Sequence, residues 1–238
     1  MEKDELLNIK QTIISNSEYK KWMEKISAVE NEFALSSDFN NIVALDHGIE
    51  HMNRVADNVY KLLEEYNCDK KTCILGYIAG LIHDIGMIYG KKGHAQNGAE
   101  MSKTFLQKLH LLETLDIEII TNAIKNHGSG GENPDVITSF LAIVDKADMC
   151  KARSLGKSSP IKCIENYMIK IQNGILHINY TMPNLKGKEG LYIIPKSIDV
   201  PKTLGRNLGL QVKIYINGKC EEFKDRDDYK GQIYQRKE

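Results

Sequence analysis

Thiolate chemistry is the first thing this sequence lacks. Its cysteines, Cys68, Cys73, Cys150, Cys163 and Cys220, are odd in number and nowhere spaced C-x-x-C, so they specify neither a disulfide framework nor a thiolate zinc site. An excess of one charge is missing as well. With 32 basic against 32 acidic residues and a pI near 7, nothing predicts a nucleic-acid polymer or an anionic membrane as partner. No apolar run approaches the ~18 residues of a membrane span, and Met1-Glu2-Lys3-Asp4-Glu5 lacks the basic-then-apolar order of a secretory signal. Internal repeats and low-complexity tracts are absent too. The expectation is a cytoplasmic protein with reduced, bystander thiols.

What the sequence does have is 238 residues, 42% of them hydrophobic, enough for one substantial domain plus a small appendage. Its centre is Ile74-Leu75-Gly76-Tyr77-Ile78-Ala79-Gly80-Leu81-Ile82-His83-Asp84-Ile85-Gly86. An ionisable His-Asp pair straight after so many residues fit for burial is costly unless it is hydrogen-bonded, ion-paired or bound to a cation. Around it stand His47, His51, His94 and His127, followed by Asp145 and Asp148. Six of the seven histidines thus fall between positions 47 and 127, and five of them, His47, His51, His83, His94 and His127, stand on or at the end of helix-patterned segments in a way that one metal site accounts for at once.

Residues Leu6 to Val29 carry apolar positions at helical intervals, broken near Ser15-Asn16-Ser17, which predicts two packing helices without chemistry. A connector from Asn40 to Leu45 follows. The stretch from Asp46 then opens a helix with Val55, Val59, Leu62 and Leu63 inward, and four-residue steps back from Val59 put His51 and His47 on the same stripe. A lone histidine on such a stripe is usually a satisfied core residue. Two at i,i+4 ahead of a His-Asp pair are better read as ligands.

In the central run, Gly76, Ala79 and Gly80 allow close helix packing, and Gly86 is expected to end the helix. The loop Tyr89-Gly90-Lys91-Lys92-Gly93 leads to His94 at the head of a helix with Gly98, Ser102, Phe105, Leu106 and Leu109 inward. Ile119 to His127 reads as a helix with His127 on the face of Ile120, Ala123 and Ile124. A glycine loop, Gly128 to Pro134, breaks it. Another helix is predicted from Thr138 to Arg153, with Asp145 and Asp148 near its apolar stripe.

The pattern changes past Ser158-Ser159-Pro160. Alternation around Asn173-Gly174 and again before Asn217-Gly218 predicts two hairpins with type I′ turns, and a short helix spans about Lys202 to Asn207. No catalytic constellation occurs there; His177 and His110 read as surface residues. The polar tail runs from Lys224 to Glu238. The fold class is therefore mainly α, with packing helices over 1–45, a helical core over 46–158 and a small β-containing region over 159–238.

Taken together, a His, then His-Asp, then His, His and Asp on helices resembles the HD superfamily of metal-dependent phosphohydrolases, over roughly Asp46 to Ser154. More distantly the chain is similar to HD-GYP phosphodiesterases and HD-type dinucleoside tetraphosphatases, through Gly93-His94-Ala95-Gln96-Asn97-Gly98 and Asn126-His127-Gly128. It departs from HD-GYP proteins in having Met87 where they carry lysine after His-Asp-Ile-Gly, and Asn126-His127 for their double histidine. The group it resembles most is of bacterial HD proteins with a small β-containing C-terminal part. The resemblance implies an HD-domain helical bundle with an α+β appendage and His51, His83, Asp84, His94, His127 and Asp145 as ligands. Asp148 is the alternative closing carboxylate.

Two divalent transition metals, iron, manganese or zinc, suit such imidazole and carboxylate ligands. His83 and Asp84 would form the catalytic centre, Asp84 bridging the ions, with a metal-activated water attacking phosphorus. His47, Lys91, Lys92, Lys146 and Arg153 are the candidates for holding substrate. The implied activity is hydrolysis of a phosphoester or phosphoanhydride in a small nucleotide-like substrate, and the appendage is expected to shape a pocket wall or a homodimer surface. An HD-fold di-iron oxygenase and a non-catalytic metal- or nucleotide-binding sensor are the alternatives.

Overall fold

The computed structural model describes residues 2–36, 45–155, 159–184, 188, 190, 191, 194 and 196–223. Asn40 in the expected connector, Ser158 at the expected boundary and the tail from Lys224 to Glu238 lie outside the described residues.

Helices α1 (Glu2–Ser15) and α2 (Ser17–Ser36) meet at Asn16, whose Oδ1 accepts the Glu18 backbone N–H at 2.8 Å, a local cap that lets one helix stop and the next begin. On α2 the residues Tyr19, Trp22, Met23 and Ile26 repeat at helical spacing and are buried. Tyr19 donates its hydroxyl to the Leu81 carbonyl at 3.1 Å, and Trp22 meets Phe105 edge-on. Thus α2 lies on the end of the central run.

Helix α3 (Ile49–Glu65) starts only after Gly48, so His51 is on its buried face while His47 precedes it. Helix α4 (Lys70–Ile82) is capped by Asp69, whose side chain accepts from Thr72 N at 2.9 Å, and every residue from Cys73 to Ile82 is buried. A Cβ on Gly80 would sit 2.5 Å from Ala56 Cα, which is why α3 and α4 can cross backbone to backbone. The segment Lys70–Tyr89 is, by length and composition alone, apolar enough to cross a membrane, against the expectation that no run comes close. Yet 83% of it is buried inside the fold, against α3, α6 and α7. Its hydrophobicity is that of a core helix packed on all sides.

The α-helix ends at Ile82, four residues before the expected stop at Gly86, and a 3-10 turn, Ile85–Tyr89, follows. Gly86 serves close approach instead: a Cβ there would fall 2.0 Å from the His94 carbonyl oxygen. This presses the start of α5 (His94–Leu109) against His83-Asp84. After α6 (Thr114–Asn126), α7 (Val136–Ala147) begins at Asp135, which caps Thr138 N at 2.7 Å, and ends before Asp148. The expected continuation to Arg153 fails because Asp148 leaves helical geometry, at ψ 70°. A separate 3-10 turn spans Lys151–Arg153.

Strands β1 (Asn166–Gln172) and β2 (Ile175–Thr181) form the expected hairpin, with Asn173 and Gly174 both at positive φ, as a type I′ turn requires. The second hairpin, β3 (Gln211–Ile216) and β4 (Lys219–Glu221), turns at Asn217-Gly218 in the same way. The two hairpins are not separate units. β2 and β3 pair in parallel, giving one sheet in the order β1-β2-β3-β4. A parallel pair needs a crossover, and α8 (Lys196–Asn207) lies in it, starting well before the expected Lys202 and carrying Pro201 within it. The sheet's inner face, with Ile169, Leu176, Ile178, Tyr180 and Ile214, joins the helical core in one buried cluster. Tyr180 donates to the Ala147 carbonyl at 3.1 Å and Tyr66 to that of Leu208 at 2.8 Å, so polar groups are met across the junction too.

Candidate metal centre

Helix ends bring the ionisable residues together. His51 lies in the first turn of α3, His83 and Asp84 directly follow α4, His94 is the first residue of α5, His127 directly follows α6, and Asp145 is in the last turn of α7. Sequence neighbours thus contribute little; five helix termini converge.

Each of the four imidazoles is oriented through Nδ1. His83 Nδ1 is 2.9 Å from the Gly80 carbonyl oxygen, His94 Nδ1 is 2.7 Å from that of Lys91 and His127 Nδ1 is 2.6 Å from that of Ile124. His51 Nδ1 is 2.5 Å from Asp148 Oδ2. Carbonyl and carboxylate oxygens only accept, so the partners assign the proton to Nδ1 in every case. All four Nε2 atoms are then left to present a lone pair.

Those lone pairs meet the carboxylates. Asp84 Oδ2 lies 3.0 Å from His83 Nε2 and 3.5 Å from His51 Nε2, whereas its Oδ1 lies 3.4 Å from both His94 Nε2 and His127 Nε2. Asp145 Oδ1 approaches His51 Nε2 at 3.3 Å. His51, His83, Asp84 and Asp145 form one group able to surround an ion, and Asp84, His94 and His127 form another. Asp84 belongs to both. Its two oxygens serve different histidine pairs.

The test of fit is satisfaction. His51 Nε2, His83 Nε2, Asp84 Oδ1 and Asp84 Oδ2 are buried without any hydrogen-bond partner despite their proximity. A buried unpaired polar atom costs about 1–3 kcal/mol, and four converging on one point make a set of donor atoms for a cation. His94 Nε2 and His127 Nε2 face each other at 3.2 Å, which with Nδ1–H tautomers opposes two lone pairs. The donor set fits a divalent transition metal.

Without that cation, protons compensate. Burial pushes the His83 imidazole down, but the Asp84 and Asp145 carboxylates outweigh it and raise the group to about 10. Burial pushes the Asp84 carboxyl up, and the histidines, His83 first, hold it well below the usual carboxylate range. Either way the site demands positive charge. Metal binding at these imidazoles requires them neutral, so it displaces protons.

A second layer holds the first. Asp148 is not part of the clusters. It accepts from His51 Nδ1 and from Arg54, whose Nε and Nη2 lie 3.1 and 3.0 Å from its two oxygens. Asp145, the expected closing carboxylate, is the one at the cluster, where Lys146 also reaches its Oδ2. Arg153 differs from expectation as a substrate contact. It is buried, its Nη1 donating to the Asp145 and Asp148 carbonyls, its Nη2 to Asp145 Oδ1 and its Nε to the Asp46 carbonyl. It tethers the end of α7 to the chain before α3.

His47 also departs from its expected place. Lying before α3, it faces Glu30 of α2, with Nδ1 2.5 Å and the backbone N 2.8 Å from Glu30 Oε1, while its ring centre lies 6.0 Å from that of His51. Burial and the nearby Asp46 charge push the Glu30 carboxyl up to about 8. Lys91 and Lys92 are exposed in the turn before α5. Sequence reading missed Glu30 and Arg54. Glu30 reaches His47 only through the placing of α2 beside the chain before α3, and Arg54 reaches Asp148 only through the packing of α3 on α7.

Comparison with known proteins bears on this geometry. No curated protein matches the chain. A solved structure, a predicted HD superfamily hydrolase from an uncultured Thermotogales bacterium, is 22% identical, with 53% of this chain and 68% of that chain covered at a TM-score of 0.39. The family model described as HD domain matches residues 48–153, the span that runs from the cap of α3 to the arginine tether behind Asp145. With the His83-Asp84 pair at its centre, residues 48–153 of this chain are an HD domain.

Proposed function

We propose that the protein is a metal-dependent phosphohydrolase that cleaves a phosphoester or phosphoanhydride bond in a small nucleotide-like molecule. The observation that carries this reading is the division of labour within Asp84, Oδ2 toward His51 and His83 and Oδ1 toward His94 and His127. His51, His83, Asp84 and Asp145 would hold one divalent ion, and Asp84, His94 and His127 a second. Such ions supply a water acidified from a pKa of about 16 toward 7 and electrophilic help to a phosphoryl oxygen.

The chain's own residues do the rest. Carbonyls at Gly80, Lys91 and Ile124 fix three imidazole rings before any ligand arrives, so little reorganisation accompanies reaction. Asp148, held by Arg54, does the same for His51 and makes its Nε2 a stronger donor. The Lys146 ammonium against Asp145, with Lys91 in the turn that holds His94, offers positive charge to phosphate oxygens.

The test is anaerobic purification, reconstitution with iron, manganese or zinc, elemental analysis, and a screen against nucleotides, dinucleoside polyphosphates and cyclic dinucleotides with phosphate release and oxygen uptake followed together. About two metals per chain and metal-dependent release of phosphate or nucleoside monophosphate are expected. Absence of bound metal overturns the reading, and oxygen uptake in place of phosphate release replaces it with an oxygenase.

A further inference from the structure

Three lysines from different parts of the chain are tied to metal-site residues or to their immediate neighbours. Lys146 follows Asp145 and its ammonium contacts that carboxylate. Lys91, exposed in the turn before α5, accepts from His94 Nδ1 on its backbone carbonyl at 2.7 Å, which fixes it beside that histidine. Lys196 comes from the C-terminal region, at the first turn of α8, and its ammonium reaches the carbonyl oxygen of Gly128, the residue after His127, at 3.5 Å. Helix α8, which Lys196 opens, packs on α7, which carries Lys146.

We propose that Lys91, Lys146 and Lys196 form a cationic collar at the mouth of the centre, holding the second phosphate of a substrate with a phosphoanhydride chain, with Lys196 supplied by the C-terminal β-α-β unit. The proposal deepens the phosphohydrolase reading and rests on it for the position of the reacting phosphate. It makes the C-terminal region a wall of the substrate site and favours diphosphate or longer chains over simple monoesters.

The charge balance supports this assignment. The chain as a whole is neutral, with 32 basic and 32 acidic residues, so a local concentration of cations is a placement and not a consequence of composition. The charges of Lys146, Arg153 and Lys196 all act on the Lys91 ammonium, with Asp84 opposing them. Arg153 is engaged by protein oxygens and Lys146 by Asp145, whereas among the described residues the contact of the Lys196 ammonium is a long one with a neutral carbonyl. Lys196 therefore has the most to gain from an incoming anion.

The experiment is calorimetric titration of the full chain, reconstituted with manganese, with methylenediphosphonate and separately with methylphosphonate, neither of which can be hydrolysed at the P–C bond. Wild type is expected to bind the diphosphonate at least about tenfold more tightly. Lys196→Ala should lose about tenfold for the diphosphonate and stay within about twofold for the monophosphonate, with Lys196→Arg restoring most of the loss. Lys91→Ala should behave as Lys196→Ala does, and Lys219→Ala on β4 should match wild type.

Unchanged diphosphonate binding in Lys196→Ala overturns the collar, and so does an equal loss for both ligands. The two readings fail separately. A protein that shows the diphosphonate pattern but releases phosphate from no nucleotide overturns the reaction and keeps the collar; one that hydrolyses monoesters with Lys196→Ala unaffected in binding keeps the reaction and overturns the collar.

Discussion

The helical region and the C-terminal sheet treat buried polar atoms in opposite ways. Among the described residues, every buried side-chain nitrogen or oxygen without a hydrogen-bond partner lies between His51 and Ser154, and none lies beyond Ser159. In the sheet the tyrosine hydroxyls find partners: Tyr180 donates to the Ala147 carbonyl, Tyr167 accepts from the Asn58 side-chain amide, and Tyr215 meets His177 Nδ1 at 3.1 Å. Most sequences that specify one fold satisfy their buried polar groups, and violations concentrate where a ligand completes the structure. The bundle is incomplete at Asp84, and the sheet is complete without any ligand.

The comparison breaks most readily at Asp84. Asp84→Asn keeps the size and removes the charge, so the two histidine pairs lose their shared anion. Phosphate release should fall by at least about a thousandfold, with kcat rather than KM carrying the loss. Elemental analysis should show reduced metal per chain. If Asp84→Asn keeps most of the rate, the carboxylate does not lie between two ions.

A smaller effect is expected one layer out, at Asp148. Asp148→Asn leaves the clusters intact but weakens the acceptor that orients His51. Metal affinity, measured by competition with a chromogenic chelator, should fall by about 10–100-fold. Unchanged affinity would show that the packing around α3 alone fixes the ring.

The Glu30–His47 pair sharpens the comparison through pH. Burial raises the Glu30 carboxyl to about 8 and lowers His47 well below its usual 6.5, so near neutrality the folded pair keeps one proton up to about pH 8. An unfolded chain keeps one proton on this pair, on His47, only up to about pH 6.5. From 6.5 to 8 the folded state binds more protons than the unfolded, and stability falls as pH rises, by something on the order of 2 kcal/mol. Between about 4.5 and 6.5 both states hold one, and the pair contributes no slope. Glu30→Gln should flatten the 6.5–8 window in chemical denaturation curves. A slope that persists in that variant assigns the titration elsewhere.

The smallest effect belongs to the satisfied region. His177→Ala on β2 removes a stacked contact with Tyr215 away from both clusters. Stability should change by no more than about 0.5 kcal/mol, and metal content and phosphate release should match wild type. A loss of metal in this variant would erase the distinction between the two regions.

Much of this was legible in the residues themselves. The burial of Val55, Val59, Leu62 and Leu63, the helix break at Asn16, and both Asn-Gly turns follow from periodicities and backbone preferences that act over a few positions. The metal-site residues were legible as a set because His-Asp after an unbroken apolar run is costly without a partner. Helix ends were less so. The stop at Ile82 and the exit at Asp148 depend on what the following residues pack against, Gly86 under the His94 carbonyl and the Arg153 guanidinium over the Asp145 and Asp148 carbonyls.

By itself, then, the sequence determined which residues could ligate and which stripe each helix would bury, since both are short-range properties of residue type and spacing. Only the tertiary structure decided that Asp145 and not Asp148 reaches the cluster, that His47 turns to Glu30, that Arg153 is spent on the protein and that the two hairpins share one parallel-joined sheet. These outcomes depend on contacts between segments far apart in the chain. A difference of one helical turn or one strand pairing reverses them, and no local pattern records which packing wins.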